Sequence, residues 1–252
     1  MREERIPHII HYIWFGGGPK TKLIERCIKS WREKLPGWEI KEWNENNFDI
    51  ESCTYMKQAY ESKKYAFASD YARFAVLYEH GGIYLDTDVE LLKSFPEEML
   101  EDSGFAGVES NLKINSGLVF ACEPGNKLVK EILEFYQKER FILEDGTQNT
   151  VTVVDHVTKI FEKKGFVIDG KEQLIEGIRI YPCEYFCAYD FITREFSITD
   201  QTICIHHYAA TWASPKDKIM RKIKDRIKKV VGTERYKRLI YIKRKLFGVS
   251  GE

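Results

Sequence analysis

Asp86 and Asp88 stand two apart in Gly81-Gly82-Ile83-Tyr84-Leu85-Asp86-Thr87-Asp88, behind a glycine pair and a short apolar lead-in. Carboxylates held that close repel one another unless a cation lies between them. The hard divalent ions Mg²⁺ and Mn²⁺ suit such oxygen ligands. A cation held there can also bind a diphosphate and neutralise it as a leaving group. An Asp-x-Asp by itself also occurs in solvated turns, but a surface turn has no need of a buried approach. Residues two apart on a strand share one face, so Ile83 to Leu92 is expected to be a short buried strand that presents both carboxylates together.

A second chemistry fits the same residues. An apolar strand followed by Asp86, Asp88 and Val89 resembles the first motif of haloacid dehalogenase-type phosphatases, where the first aspartate is a nucleophile and the second a general acid/base. That reading needs a downstream lysine and a later acidic pair after a strand. Neither stands in an obvious place, and Val167-Ile168-Asp169-Gly170 is a poor candidate for the pair. A noncatalytic nucleotide- or sugar-binding protein is a third class, which would bind UDP without metal-dependent hydrolysis of a donor.

The elements that must position the carboxylates are legible in outline. Ile6 to Phe15 is strand-like and closes on Gly16-Gly17-Gly18-Pro19; Thr21 to Leu35 has helical periodicity and stops at Pro36-Gly37. Trp38 to Trp43 alternates as a strand does. Helices are expected over Ser52 to Tyr65 and Ala68 to Glu79, the second ending at Gly81-Gly82. Further strands are expected at Phe105 to Val108, Gly117 to Ala121, Ile178 to Tyr181 and Thr202 to His207. Helices are expected at Asn126 to Arg140 and Val151 to Lys164. Strands alternating with helices point to an α/β fold with a mainly parallel sheet, and such sheets place ligands at the carboxyl ends of their strands.

Composition bounds the rest. A 252-residue chain with 43% hydrophobic and 13% aromatic residues can bury a real core and is not intrinsically disordered. No apolar run approaches the roughly 18 residues needed to span a membrane, and the opening MREERIPHIIHYIWFGG does not read as a signal peptide. The six cysteines read as reduced, buried thiols of a cytoplasmic protein, and Cys183 and Cys187 alone lack the second pair of a structural zinc site. Nothing points to nucleic acid. The zero net charge is a cancellation: residues 215–252 carry 14 Lys and Arg against four acids, leaving 25 against 35 for residues 1–214. The expected division is therefore a catalytic domain over 1–214 and a basic amphipathic helical tail over 215–252. In that tail Ile219, Ile223, Ile227 and Val230/Val231 form a stripe at helical spacing. The stripe suits either peripheral contact with an anionic membrane, at the inner face of the cell membrane, or docking onto the main domain.

The wider pattern carries a resemblance. Ser69 to Leu92, SDYARFAVLYEHGGIYLDTDVELL, resembles the conserved block of glycosyltransferase family 32, the enzymes with a sugar-binding region containing the DXD motif. It is also distantly similar to the matching segment of the clostridial glucosylating toxins. Ile6 to Gly18 resembles the first strand of those families. Ile205-His206-His207-Tyr208-Ala209-Ala210-Thr211-Trp212 resembles their closing motif, with threonine in place of the usual serine before the tryptophan.

The resemblance implies a GT-A fold, a nucleotide-sugar donor such as a UDP-sugar, a divalent metal (Mn²⁺ or Mg²⁺) and transfer with retention. It places Trp14 on the base, with a core tryptophan as the alternative. It sets Asp70 and Arg73 on the donor's sugar and ribose hydroxyls, with a local salt bridge between them as the alternative. Ser69 then caps or orients their helix. Tyr84 lies near the donor or in the strand core. Asp88 is the first choice as direct metal ligand, and Asp86 bridges ribose and metal. His206 fills a further metal position, with His207 as the alternative, because adjacent strand residues point to opposite faces. Trp212 donates its indole N–H to the diphosphate; the metal, Arg73 and Trp212 stabilise the charge that develops there, and Arg73, Asp86 and Asp88 are the catalytic residues that the resemblance implies. Asn115 and Ser116 match the segment lining the acceptor side, with a strand-capping turn as the alternative. Glu109, Asn115 and Gln148 are the available groups for a covalent route; since only Glu109 ionises, same-face attack is preferred, with the leaving phosphate helping to deprotonate the acceptor hydroxyl. A glycan or lipid-linked glycan acceptor in capsular or surface polysaccharide synthesis fits a basic tail, and a toxin-like transfer to protein hydroxyls is the variant.

Overall fold

The computed structural model describes residues 3–190, 195–209, 220, 223, 226–236, 238 and 240. Thr211, Trp212 and Ile219, and the expected boundary between residues 214 and 215, lie outside the described residues.

The apolar run at the amino end becomes β1 (Ile9–Ile13), whose side chains are buried on both faces from Ile10 onward, as in the interior of a covered sheet. α1 (Lys22–Lys34) is capped by Thr21, whose hydroxyl accepts from the Ile24 N–H, and it buries Ile24, Cys27, Ile28 and Trp31. β2 (Glu39–Trp43) follows and pairs in parallel with β1. α2 (Thr54–Glu61) leads into α3 (Tyr65–His80), a largely buried helix that carries Asp70 and Arg73. It ends at Gly81, φ 65°, where a side chain would meet Pro7 and Pro124 below 3 Å.

The chain then enters β3 (Gly82–Tyr84), leaves the sheet, and forms β4 (Val89–Leu91). β5 (Gly104–Gly107), β6 (Phe120–Cys122), α4 (Lys127–Lys138) and α5 (Val153–Glu162) follow, the two helices capped by Asn126 and Thr152. β7 (Gln173–Ile175), β8 (Ile178–Tyr181), the one-turn α6 (Cys183–Phe186), β9 (Tyr189–Asp190), β10 (Glu195–Phe196) and β11 (Cys204–His206) complete the order.

Seven strands form the central sheet in the order β2-β1-β3-β6-β5-β8-β7. Only β6 and β7 run against the other five, so the mainly parallel α/β sheet expected from the alternation is present. β4 and β11 form a separate antiparallel pair. Aromatic and aliphatic side chains fill both faces: α2 to α5 cover one, while α1, α6 and the β4–β11 pair cover the other. Burial of this surface, at about 25 cal/mol per Å² of apolar area, is the main force holding the layers together. Trp31, wholly buried, also donates its indole N–H to the Val89 carbonyl at 2.8 Å and fastens α1 to β4.

One expectation is corrected. Ile83 to Leu92 is not a continuous strand: the extended structure stops at Tyr84, turns at Thr87 and Asp88, and resumes at Val89. The Val89 N–H closes that turn on the Asp86 carbonyl at 3.0 Å. The two aspartates therefore converge through a turn rather than by strand alternation. Asp-Thr-Asp tolerates such a turn, and contacts from distant segments to both aspartates hold it in place.

Among the described residues of the tail, 226–231 and 233–236 are helical. Of the described stripe residues, Ile223 is 42%, Ile227 44% and Val230 85% exposed. Attachment runs through buried Tyr236, through Lys228 Nζ at 2.7 Å from Glu195 Oε1, and through the Thr233 hydroxyl on the same carboxylate. No helix among the described residues is long and apolar enough to cross a membrane.

Candidate active site

β1 and β3 lie side by side and parallel, so the residues just past their carboxyl ends meet. Past β1 stands Trp14, partly exposed, its indole N–H donated to the Gly18 carbonyl at 2.8 Å. That bond ties the Gly16-Gly17-Gly18 loop to the strand end, and Lys20 Nζ stands over the Trp14 ring, 5.5 Å from its centre. Past β3 stand Asp86 and Asp88.

Asp88 is held from two sides. Its Oδ2 accepts from the Ala209 N–H at 2.8 Å, and its Oδ1 lies 2.9 Å from His206 Nε2. Ligand atoms of Asp86, Asp88 and His206 all lie within 4.8 Å of one another. Burial alone would push the Asp88 carboxyl up and the His206 imidazole down. Their mutual attraction overrides this, holding Asp88 below the usual carboxylate range and raising His206 to about 9. A proton on His206 thus occupies the role a cation would take. His206 Nδ1 is buried and has no hydrogen-bond partner among the described residues. Two carboxylates and one imidazole, with a nitrogen still open, suit a hard-to-borderline divalent ion such as Mn²⁺ or Mg²⁺.

His207 points the other way, its Nε2 2.7 Å from Glu90 on the opposite side of the strand pair. The alternation of strand residues separates the two histidines, and His206 is the one brought to the Asp-x-Asp.

Asp86 is positioned by its neighbours. The Tyr84 hydroxyl donates to Asp86 Oδ1 at 2.9 Å, and Arg73 Nη1 lies 3.7 Å from the same atom. Tyr84 is a strand-core residue whose hydroxyl reaches the site edge, with the Arg73 guanidinium 4.8 Å from its ring centre. Arg73 pairs with Asp70 at 2.7 Å, both buried on one face of α3. The local salt bridge is therefore real, and it aims Arg73 at Asp86. Ser69 accepts from Arg73 Nη2 at 3.1 Å and so orients Arg73 rather than reaching open space. Burial pushes the Asp70 carboxyl upward against the pull of Arg73.

Asn115, Ser116 and Gly117 form the wall behind the aspartates. Ser116, wholly buried, accepts from Arg73 Nη1 at 3.3 Å; Asn115 donates to Glu109 at 2.8 Å and accepts from the Gly117 N–H at 2.8 Å. Gln148 is exposed in the 142–148 turn.

Two further residues shape the site without having been assigned a role from the sequence. A Cβ on Gly117 would overlap the Asp86 carboxylate, so only glycine leaves Asp86 its place. Tyr208, φ 47°, lays its ring 4.1 Å from that of His206 and donates its hydroxyl to Glu109 Oε2 at 3.3 Å. The signal for Gly117 was its place before a buried strand; Tyr208 had only its position in the closing motif.

Comparison with known proteins bears on the family of the chain. Residues 21–106, which include the Asp-x-Asp, match the family model described as "Glycosyltransferase sugar-binding region containing DXD motif". A protein of Acanthamoeba polyphaga mimivirus, "Uncharacterized glycosyltransferase L373", is 38% identical over 222 residues, covering 82% of this chain and 84% of that one. "Subversion of eukaryotic traffic protein A" of Legionella pneumophila is 26% identical over 180 residues, covering 59% of this chain but only 28% of its own length. Among solved structures, "PaToxG Glycosyltransferase" matches with a TM-score of 0.48 at 18% identity, over 64% of this chain and 70% of that one. With a relative at that identity matched over most of both chains, and with the family's motif at the focus of the site, this chain belongs to the glycosyltransferases whose sugar-binding region contains the DXD motif.

Proposed function

We propose that the enzyme is a divalent-metal-dependent, retaining glycosyltransferase that takes a sugar from a UDP-sugar and transfers it to a glycan hydroxyl, in the synthesis of a capsular or surface polysaccharide. The observation that carries this reading is the convergence of Asp86, Asp88 and His206 beside the buried Arg73. Asp88 and His206 would hold Mn²⁺ or Mg²⁺ directly, and Asp86 would bridge ribose and metal. The ion would supply charge neutralisation to the departing diphosphate. Trp14 would stack on the base. Arg73, pinned by Asp70, Ser69 and Ser116, keeps a fixed positive charge next to the diphosphate position, and such preorganised charge is the usual source of most of the rate. Trp212, in the chain segment after Ala209, would add an N–H to the diphosphate.

Glu109 already accepts from Asn111, Asn115 and Tyr208, which keeps it fixed in the wall rather than free as a nucleophile. This favours same-face attack by the acceptor hydroxyl. Asn115 and Ser116 then act on the acceptor side by holding that wall in place. The exposed apolar stripe of a tail with ten surplus positive charges supports peripheral attachment to an anionic membrane, where lipid-linked glycan acceptors sit. A second acceptor class, protein hydroxyls, is the alternative, and one relative carries the name "Subversion of eukaryotic traffic protein A".

The test is a screen of UDP- and GDP-sugars for Mn²⁺-dependent release of nucleotide, with Asp88→Ala as control. Equal release by wild type and variant would overturn the site. Offering glycan and protein acceptors in parallel separates the two acceptor classes.

A further inference from the structure

A second group of metal-binding side chains lies on the far side of the β4–β11 pair. Cys27 comes from the buried face of α1, Glu90 from the middle of β4, and His207 from the residue after β11. Their ligand atoms lie within 4.8 Å of one another. Glu90 Oε2 is 2.7 Å from His207 Nε2, and Arg26 Nη2 sits 3.1 Å from Glu90 and 3.3 Å from His207. The Arg26 side chain is 56% exposed, so solvent leaves it room to move away from Glu90 and His207.

We propose that Cys27, Glu90 and His207 form a second metal site, for a thiophilic divalent ion of the Zn²⁺ class, separate from the Asp-x-Asp site. One sulfur, one nitrogen and one oxygen form a softer set than two carboxylates and an imidazole, and a thiolate selects Zn²⁺ over Mg²⁺ or Mn²⁺. Three protein ligands leave the fourth tetrahedral position to water. Charge also balances: thiolate and carboxylate together neutralise a divalent ion, with the Cys27 proton released to solvent and Arg26 displaced from Glu90. Metal–ligand bonds of about 2.0–2.3 Å place tetrahedral ligand atoms roughly 3.3–3.8 Å apart, so closure needs small rotations of the half-buried Glu90 and His207. Burial pushes the Cys27 thiol up to about 12, reinforced by Glu90 and Asp88. Without the ion, Cys27 is thus an inert thiol.

Such an ion would tie α1 to both strands of the pair. It would also act on the first site through the backbone, because the His207 N–H donates to the Asp88 carbonyl at 3.0 Å. The two sites use adjacent histidines and share one strand pair.

The full chain, freed of metal, is titrated with Co²⁺ as the probe. Thiolate ligation gives a near-ultraviolet sulfur-to-cobalt charge-transfer band. The expected result is a band that saturates at one equivalent, survives Asp88→Ala, disappears in Cys27→Ser, and is displaced by Zn²⁺ but not by Mn²⁺. Because Cys27 is buried and its substitution can unfold the chain, Glu90→Gln and Arg26→Met provide a second test. The first should weaken Co²⁺ binding at least ~10-fold, and the second should strengthen it, since a competing cation is removed. No band in the wild type, a band retained in Cys27→Ser, or indifference to both Glu90→Gln and Arg26→Met overturns the proposal. Loss of Mn²⁺ binding in Asp88→Ala reads the first site separately.

Discussion

His206 Nε2 lies 2.9 Å from Asp88 Oδ1, across 118 residues of sequence. Each partner favours the charged form of the other: the carboxylate raises the imidazole, and the imidazole lowers the carboxyl. The pH signs follow from the two shifts. His206 is raised from 6.5 to about 9, so its contribution to stability is complete below pH 6.5 and is lost as pH rises through 9. Asp88 is depressed, so its contribution is present above its unfolded value near 4 and is lost as pH falls further. The metal-free enzyme is therefore expected to melt at lower temperature as pH climbs from 6.5 to 9. His206→Gln should flatten that limb of a calorimetric pH series.

Mn²⁺ must displace the same proton. Its affinity should rise about tenfold per pH unit up to pH 9, with close to one proton released per ion bound. Titration calorimetry in buffers of different ionisation enthalpy measures that proton directly. Affinity independent of pH between 6.5 and 8.5 would remove His206 from the ligand set.

Gly117→Ala tests the back wall. The added methyl collides with the Asp86 carboxylate, while the backbone at Gly117 needs no positive φ. The fold should survive, with turnover reduced on the order of 100-fold, the usual cost of misplacing a catalytic group by about an ångström. Circular dichroism alongside steady-state kinetics separates the two effects.

Arg73→Met should cost roughly 3–5 kcal/mol in urea unfolding, because it strands Asp70 in the interior without its partner. Replacing both, Asp70→Leu with Arg73→Met, should recover part of that loss while activity stays abolished. Such an outcome separates the pair's contribution to stability from its role in the reaction.

Trp14→Ala should raise the KM for the donor with little change in kcat. Base stacking on an aromatic ring contributes about 1–3 kcal/mol, or roughly 5- to 150-fold in affinity. A fall in kcat with unchanged KM would place Trp14 outside the base site.

For the tail, co-sedimentation with anionic vesicles is the measurement. Binding at low salt should weaken well above about 0.15 M salt. It should fall in Ile227→Asp with Val230→Asp, two stripe residues that are exposed and support no core. Equal binding by wild type and double variant at low salt would remove the stripe from the contact.

The local pattern determined much on its own. Ile6 to Phe15 read as a strand, the alternation of strands and helices read as a mainly parallel sheet, and the block Ser69 to Leu92 carried the resemblance to the family whose model it matches. Those features are short-range, and short-range pattern is what side-chain periodicity and turn chemistry encode. Tertiary structure alone decided the rest. The turn that interrupts Ile83 to Leu92 arises because Asp86 is drawn to Tyr84 and Gly117 while Asp88 is drawn to His206 and Ala209. The choice of His206 over His207 depends on the antiparallel register that sets His206 against Val89 and Ile205 against Glu90. A one-residue slip there would exchange the two histidines between the Asp-x-Asp and the Cys27 side. Registers between strands over a hundred residues apart are settled by the packing of α1 and α6 on that pair, which no local reading of the chain contains.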